Sequence, residues 1–274
     1  MTLDPVLAAR LVSGESMAVP LPGYRAPACP VEDSVVAGVP VRRYGSAGTT
    51  LVWVHGGGFS AGDLDMPEAH TVALELVQRA GVSVVSVGYR LAAFPAGLDD
   101  VCAVVSSFDE PVLLGGASAG GNLALAAALR LRDRGAPPLA GLVLAYPYLH
   151  LVNPPASVDL SERMAPLPET VRFPPPTMRE MAGFYLGARA DDPPRYAYPG
   201  TEPELGGLPP TVVIGAEYDD LLPSALDIGA RLAGAGVRVE QHLEPGVLHG
   251  HLNTPGLPGA ARSLEAAAAF IRSL

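Results

Sequence analysis

Short apolar runs alternate with longer amphipathic stretches along most of the chain. The apolar runs predict buried strands at residues 51–54, 82–87, 112–114, 140–146, 211–215 and 237–243. The amphipathic or Ala/Leu-rich stretches predict helices at residues 66–80, 98–108, 123–131, 223–233 and 258–273. Strands that alternate with helices are typical of a mostly parallel sheet covered on both faces, so we expect the α/β fold class.

The beginning of the chain departs from this alternation. A short helix is expected at residues 3–12, because Asp4 is a suitable N-cap and Pro5 lies in the first turn. The following residues are rich in proline and are expected to be irregular. Residues 35–44, with a glycine near the middle, indicate a hairpin or edge strands.

A second departure lies between the fourth and fifth predicted strands of the alternating pattern. Residues 147–207 contain many prolines and one clear helical stretch at 178–186. A long interruption of this kind is usually an inserted functional segment. We therefore predict an α/β core formed by 35–146 and 208–274, an N-terminal cap segment at 1–34, and a cap insertion at 147–207.

Composition narrows the classes of partner and compartment. The formal net charge of −10 argues against nucleic acid or an anionic membrane as a partner, since both require basic patches. Two cysteines, Cys29 and Cys102, do not make a disulfide framework and suit a reducing compartment. No secretory leader and no apolar run of membrane-spanning length are visible, so we expect a cytoplasmic protein without membrane insertion.

The candidate nucleophile is Ser118, which lies within Gly116-Ala117-Ser118-Ala119-Gly120. A strand precedes this G-x-S-x-G sequence and a helix follows it, so the serine is expected on a tight corner with its hydroxyl exposed. Amide groups at the start of the helix, beginning with Ala119, would point at the group that the serine attacks. The alternative is a small-residue turn without chemistry. A phosphate-binding loop is a weaker interpretation of these residues, because the chain contains no lysine to bind the phosphate.

A serine nucleophile needs a base, and the chain offers six histidines. His249 follows the last predicted strand, at the edge of the sheet where active sites of α/β proteins lie. Four other histidines are less suitable as the base. His55 belongs to the glycine loop and would brace it, and His150 follows the strand predicted at 140–146. His70 lies in a predicted helix and His242 in a predicted strand. The His249-Gly250-His251 spacing could also suggest a metal site, but no further ligand pattern supports it.

The acid that orients the histidine should follow a neighbouring strand. Asp219 and Asp220 both do so, and either could instead cap the helix expected near residue 223. The chain order of serine, then aspartate, then histidine is that of the α/β-hydrolases.

Together these motifs make the sequence resemble the hormone-sensitive-lipase branch of the α/β-hydrolase superfamily, which contains many bacterial carboxylesterases. The resemblance covers roughly residues 50–273. The matching segments are His55-Gly56-Gly57-Gly58, Tyr89-Arg90-Leu91-Ala92, Gly116 to Asn122, Glu217-Tyr218-Asp219 and Gly246 to Gly250.

The resemblance implies an α/β-hydrolase fold with a small, partly helical cap and a triad of Ser118, His249 and Asp219. It implies an oxyanion hole formed by the N–H groups of Gly57, Gly58 and Ala119, and a small-molecule ester as substrate with neither metal nor organic cofactor. Four departures from the family pattern affect the expected substrate preference. Ala117 replaces the usual aspartate, the loop from Arg90 to Pro95 is shorter than usual, His251 stands where an aromatic is common, and the N-terminal cap is short.

The leading hypothesis is hydrolysis of carboxylic esters with short to medium acyl chains. Amidase, formamidase or lactonase activity with the same triad is an alternative, and a non-catalytic binding protein on a hydrolase fold is another. An exposed edge strand could support a homodimer. Candidate substrate contacts, each of which could instead serve packing, are Phe59, Phe173, Met181, Phe184 and Tyr185.

Overall fold

A single eight-stranded sheet forms the centre of the described structure. The computed structural model describes residues 2–189 and 191–274, so Met1 of the predicted N-terminal cap segment and Ala190 of the predicted insertion lie outside it. The strand order is β1-β2-β4-β3-β5-β6-β7-β8. The strands are β1 Val31–Val36, β2 Val39–Tyr44, β3 Thr50–Val54, β4 Ser83–Val87, β5 Leu113–Ala117, β6 Gly141–Ala145, β7 Thr211–Tyr218 and β8 Val239–Leu248.

Strand direction divides the sheet into an antiparallel edge and a parallel remainder. β1 and β2 form a hairpin, and β2 pairs antiparallel with β4. The hairpin turn consists of Ala37 and Gly38, whose φ angles of 50° and 83° match the twist of a tight two-residue connection. All other neighbouring strands are parallel. The predicted α/β class with a mostly parallel sheet is confirmed.

Eight α-helices connect or flank the strands of the described residues. They are α1 Pro5–Ser13, α2 Pro67–Ala80, α3 Ala96–Val105, α4 Ala119–Asp133, α5 Val158–Met164, α6 Pro175–Leu186, α7 Leu222–Gly234 and α8 Pro258–Arg272. The Asp4 carboxylate accepts a hydrogen bond from Val6 N at 2.9 Å, so the expected N-cap of α1 is present. None of the helices in 2–189 and 191–274 combines the length and apolarity needed to cross a bilayer.

The helices bury both faces of the central strands, which explains why β3 to β7 are largely apolar, whereas β1, β2 and β8 carry charged residues. Along β3, Val52 and Val54 face a core with α3, α4 and α7, whereas Leu51 and Trp53 face a core with α2 and α8. This alternation is the two-residue period of a strand. The carboxyl ends of the parallel strands consequently meet at one edge, where loops can bring distant residues together.

Helices α5 and α6 lie in the long segment that connects β6 to β7 at that edge of the sheet. The sequence predicted α6 but not α5. The first residues of the chain lie against the same edge, because Asp4 N donates to Gly246 O at 2.8 Å and Leu21 N donates to Pro255 O at 2.7 Å.

Candidate active site

Ser118 occupies the sharp corner between β5 and α4. Its φ of 53° and ψ of −117° are strained for a residue with a side chain, as in a nucleophile elbow. The corner needs glycine because the backbone is crowded there. A Cβ at Gly120 would overlap the carbonyl oxygens of Val54 and His55. Ser118 N donates to Ala145 O at 2.9 Å, which fixes the corner to the end of β6.

The structure brings Ser118, His249 and Asp219 into one hydrogen-bonded line. His249 Nε2 lies 2.9 Å from Ser118 Oγ, and His249 Nδ1 lies 2.7 Å from Asp219 Oδ2. Since a carboxylate only accepts hydrogen bonds, Nδ1 carries the proton and Nε2 is free to accept from the serine hydroxyl. Residues from the ends of β5, β7 and β8 therefore form the arrangement that activates a serine.

The two adjacent aspartates have different partners. Asp219 is buried, and its Oδ1 accepts a hydrogen bond from Leu221 N at 2.8 Å while Oδ2 faces His249. Asp220 instead binds Arg172 through both carboxylate oxygens, at 2.8 and 3.0 Å. The position of the carboxylates therefore favours Asp219 as the residue that orients the histidine.

Two aromatic rings enclose the His249 imidazole. The centroid of Tyr146 lies 4.9 Å away at an interplanar angle of 65°, and that of Phe173 lies 4.6 Å away at 68°. Edge contacts of this kind fix the orientation of the imidazole without using its nitrogen atoms.

The glycine loop after β3 lies beside Ser118, because a Cβ at Gly56 would come within 3.5 Å of Ser118 Cβ. Gly57 and Gly58 have φ angles of 113° and 60°, which a side chain would disfavour. Among the described residues, neither of these N–H groups donates to a backbone acceptor. Ala119 is the first residue of α4, so helix geometry leaves its N–H without an intrahelical partner. The three amides predicted for an oxyanion hole are thus available to an anion.

His55 braces this loop rather than taking part in the triad. Its Nδ1–H donates to Gly56 O at 2.7 Å, and its ring stacks on Tyr89 at 4.3 Å between centroids. Burial lowers the pKa of His55, so the imidazole is held neutral.

Glu68 is a buried carboxyl at the site that the sequence did not single out. Its Oε1 accepts from Trp53 Nε1 at 2.5 Å, and its Oε2 accepts from Gly56 N at 3.0 Å. Burial raises the pKa of Glu68 to about 7, against the opposing effect of these two donors. An acidic residue after Pro67 is usual in the first turn of a helix, so the sequence carries no signal that this one turns inward.

A cavity of about 310 Å³ lies above Ser118 and His249. Besides the triad serine and histidine, the glycine loop and Glu68, its wall includes residues from five other segments. These lining residues include Ser60, Met66, Tyr146, Tyr148, Phe173, Met181, Leu221, Gly250 and Asn253. Of the candidate substrate contacts from the sequence, Phe173 and Met181 are on the wall.

The other three candidate substrate contacts lie elsewhere, and this corrects the expectation. Phe59 and Tyr185 are buried and stack on each other, with ring centroids 3.7 Å apart and planes 5° apart. Phe184, which directly precedes Tyr185 in α6, is 45% exposed. The i, i+3 and i+4 spacing of Met181, Phe184 and Tyr185 would allow one helix face to present all three, but only Met181 lines the cavity.

The remaining histidines are engaged away from the cavity. His70 contacts Tyr44 Oη at 2.9 Å, His150 contacts Ser224 Oγ at 2.6 Å, and His242 contacts Glu244 at 2.9 Å.

His251 is buried and held neutral, because burial lowers its pKa to about 3. Its ring nitrogens face Leu248 O and Ser263 Oγ. Both nitrogens of His249 are also engaged, so neither imidazole has one left for a metal.

The fold and this constellation define an α/β hydrolase. The family described as alpha/beta hydrolase fold matches residues 51–253, and the chain belongs to that family. Esterase LipI of Mycobacterium tuberculosis is 32% identical over 232 residues, which cover 77% of this chain and 68% of that protein.

Two solved structures locate the chain further within the family. The esterase of Pyrobaculum calidifontis superposes with a TM-score of 0.83 at 30% identity, covering 99% of this chain and 98% of its own. The HSL homologue EstE7 from a metagenome library superposes with a TM-score of 0.81 at 25% identity, covering 100% and 99%. The resemblance to the hormone-sensitive-lipase branch is therefore confirmed.

Proposed function

We propose that this chain hydrolyses carboxylic esters through an acyl-enzyme on Ser118. The observation that carries the proposal is the continuous line from Ser118 Oγ to His249 Nε2 and from His249 Nδ1 to Asp219. Its family and its esterase relatives support ester hydrolysis as the reaction class.

Acylation begins when Ser118 Oγ attacks the ester carbonyl carbon and its proton moves to His249 Nε2. The carbonyl oxygen becomes an oxyanion that accepts hydrogen bonds from the amides of Gly57, Gly58 and Ala119. Asp219 stabilises the imidazolium and keeps its Nδ1 proton in place. The C–O bond to the alcohol then breaks, and His249 gives its proton to the departing oxygen.

Deacylation repeats these steps with water. His249 removes a proton from the water, whose oxygen attacks the acyl carbon, and a second oxyanion occupies the same amides. When the bond to Ser118 Oγ breaks, His249 returns the proton to the serine and the carboxylic acid leaves.

The cavity favours small substrates. Its volume of about 310 Å³ is near the lower end for small-molecule sites. Apolar side chains such as Met66, Met181 and Leu221 offer surface for a hydrocarbon group but few polar contacts. Short to medium acyl chains are therefore the proposed substrates.

Residues 1–30 and 147–207 are proposed to act together as a cap; the expected boundary at residue 34 is too late, because residues 31–34 belong to β1 of the central sheet. The first of these two segments runs over the loop that holds His249, where Thr254 Oγ1 donates to Met17 O at 2.5 Å. The second supplies Phe173 and Met181 to the cavity wall. The Met181 sulfur packs directly over Gly58 in the glycine loop.

The test is turnover of p-nitrophenyl esters from acetate to octanoate by the purified chain and by Ser118→Ala. The variant should lose about 10⁴- to 10⁶-fold in kcat while keeping its thermal unfolding transition. Ser107→Ala, in an exposed turn at the other end of the sheet, is the matched control and should keep full activity. Equal turnover by wild type and Ser118→Ala would refute the proposal.

The same preparation can separate ester hydrolysis from the amidase alternative. Phenyl acetate and acetanilide present one acyl group and one ring on different leaving atoms. We expect hydrolysis of phenyl acetate only. Faster hydrolysis of acetanilide would assign the site to amides instead.

A further inference from the structure

A second, smaller cavity adjoins the cavity above Ser118. Its volume is about 170 Å³, and it shares Phe173, His249 and Gly250 with the first. The rest of its wall comes from α1, the residues after it, the segment before Phe173 and the His249 loop: Leu7, Met17, Thr170, Val171, Leu248, His251 and Thr254. Among the three shared residues, Phe173 has the largest side chain that the triad does not use.

An ion pair next to the triad fixes Phe173 in this position. Arg172 donates from Nε and Nη2 to the two carboxylate oxygens of Asp220, and Phe173 N donates to Asp220 Oδ2 at 2.8 Å. Arg172 Nη1 also donates to Met164 O at 2.6 Å, which ties the pair to the end of α5. The paired arrangement is the strong, directional form of an Arg–carboxylate contact.

The Asp220 end of the pair is itself anchored. Asp220 is adjacent to Asp219, and its backbone carbonyl accepts from Asn153 Nδ2 at 3.0 Å. The side chains of Arg172 and Asp220 are 23% and 17% exposed, so solvent screens them only in part. Phe173 is thus held against His249 through a residue next to the proposed catalytic acid.

We propose that the Arg172–Asp220 ion pair is a latch that keeps Phe173 as the wall between the two cavities, and that this wall limits the size of the alcohol group of the ester. The proposal rests on the ester hydrolysis proposed above. Asp220 and Arg172 are positioning residues, because they act through Phe173.

The position of the alcohol group of the ester follows from the proton transfer. His249 must reach the departing oxygen to protonate it, so the alcohol group lies beside the imidazole. Phe173 contacts that imidazole edge to face, and the same phenylalanine also lines the second cavity. Without the ring, the two cavities would join and a bulky alcohol could extend into the apolar space lined by Leu7 and Met17.

The test keeps the acyl group constant and varies a primary alcohol. Ethyl acetate and 2-naphthylmethyl acetate have leaving groups of similar reactivity, and acid release from both can be followed in a pH-stat. For Phe173→Ala, kcat/KM for the bulky ester relative to ethyl acetate should rise about tenfold. Arg172→Ala should shift the ratio in the same direction by about threefold, and Arg172→Lys should restore part of the selectivity.

Three controls separate the latch from a general loosening. Phe184→Ala removes an exposed phenylalanine from the same segment and should leave the ratio unchanged. The ratio of ethyl hexanoate to ethyl acetate should stay within about twofold in all variants, because the acyl side does not change. Arg172→Ala combined with Phe173→Ala should show no larger ratio than Phe173→Ala alone.

An alcohol ratio within about twofold of wild type in Arg172→Ala would overturn the latch, and the same result in Phe173→Ala would overturn the role of Phe173 as the wall. If Phe173→Ala does not fold, Phe173→Leu replaces it and the same criterion applies. Wild type that hydrolyses none of these esters would instead refute the proposed function, so the two failures are distinguishable.

Discussion

Asp219 Oδ2 accepts a hydrogen bond from His249 Nδ1 at 2.7 Å, while its Oδ1 accepts one from Leu221 N at 2.8 Å. The carboxylate is therefore held by the backbone on one side and holds the imidazole on the other. Of the two His249 nitrogens, this arrangement leaves Nε2 to take the proton of Ser118. The tautomer of His249 consequently depends on one carboxylate oxygen.

Replacing Asp219 with asparagine should expose this dependence. The amide can present its N–H₂ group to Nδ1, which favours the tautomer with the proton on Nε2 and blocks proton transfer from Ser118. We expect kcat for p-nitrophenyl acetate to fall by about 10³- to 10⁴-fold with little change in the unfolding temperature. Asp65→Asn changes an 80% exposed side chain and should not affect kcat.

A double variant makes the same prediction stricter. If Asp219 acts only through His249, Asp219→Asn combined with His249→Ala should be no slower than His249→Ala alone. A further loss in the double variant would show that Asp219 supports the reaction by another route.

Gly120 is expected to be indispensable for the corner at Ser118. A methyl group there would overlap the backbone carbonyls of Val54 and His55, so β3 and α4 would have to separate. Gly120→Ala should lower the free energy of unfolding by at least about 3 kcal/mol or prevent folding. Urea denaturation measures the effect.

Gly183 provides the matched comparison for this substitution. It lies within α6, and a Cβ there would meet no atom within 4 Å. Gly183→Ala should leave stability unchanged or raise it by up to about 1 kcal/mol, because alanine is the better helix former. Equal losses of stability in the two variants would contradict the role given to close packing at Gly120.

Glu68 should make the stability of the protein depend on pH in an uncommon direction. Burial raises the pKa of Glu68 from its ordinary value of 4.5 to about 7 in the folded chain, so the folded state binds more protons than the unfolded state between these values. Its contribution to stability is therefore lost as pH rises from 4.5 to 7, by about 1.4 kcal/mol per pH unit at most.

Comparison with Glu68→Gln isolates this contribution. The free energy of unfolding of wild type minus that of the variant should decrease by roughly 3 kcal/mol between pH 4.5 and pH 7. A difference that stays flat or increases over this range would show that Glu68 is not a buried, proton-retaining carboxyl.

The parts of the site that local sequence determines were predictable. The corner at Ser118 follows from small residues between an apolar run and an Ala-rich helix. The order of strand ends predicts the positions of His249 and of the Asp219–Asp220 pair, and only the family resemblance selects Asp219. These features depend on chain geometry near each residue. The cap helix α6 was predicted for the same reason, but its side-chain directions toward the cavity were not.

Features that depend on distant partners were not predictable. β8 was expected to end at residue 243, yet it continues to Leu248. Glu244 is fully buried in it because Arg262 and His242 pair with its carboxylate. The seven-residue helix α5 was missed in a proline-rich context, although Ser157 caps it by accepting from Leu160 N at 3.2 Å.

The inward turn of Glu68 and the latch at Asp220 have the same origin. In both cases a carboxylate finds its donors on segments far away in the chain, namely Trp53 for Glu68 and Arg172 for Asp220. Local sequence does not predict such pairings, because each carboxylate taken alone is typical of an exposed acidic residue in a helix or a loop.

The central claim is that Ser118 is the activated nucleophile, and covalent labelling tests it most directly. Wild type is treated with a fluorophosphonate, and the adduct is located by intact-mass and peptide mass spectrometry. We predict one adduct per chain on the peptide that contains Ser118, and none in Ser118→Ala. An adduct on another residue, or no adduct on the folded wild-type protein, would contradict the account.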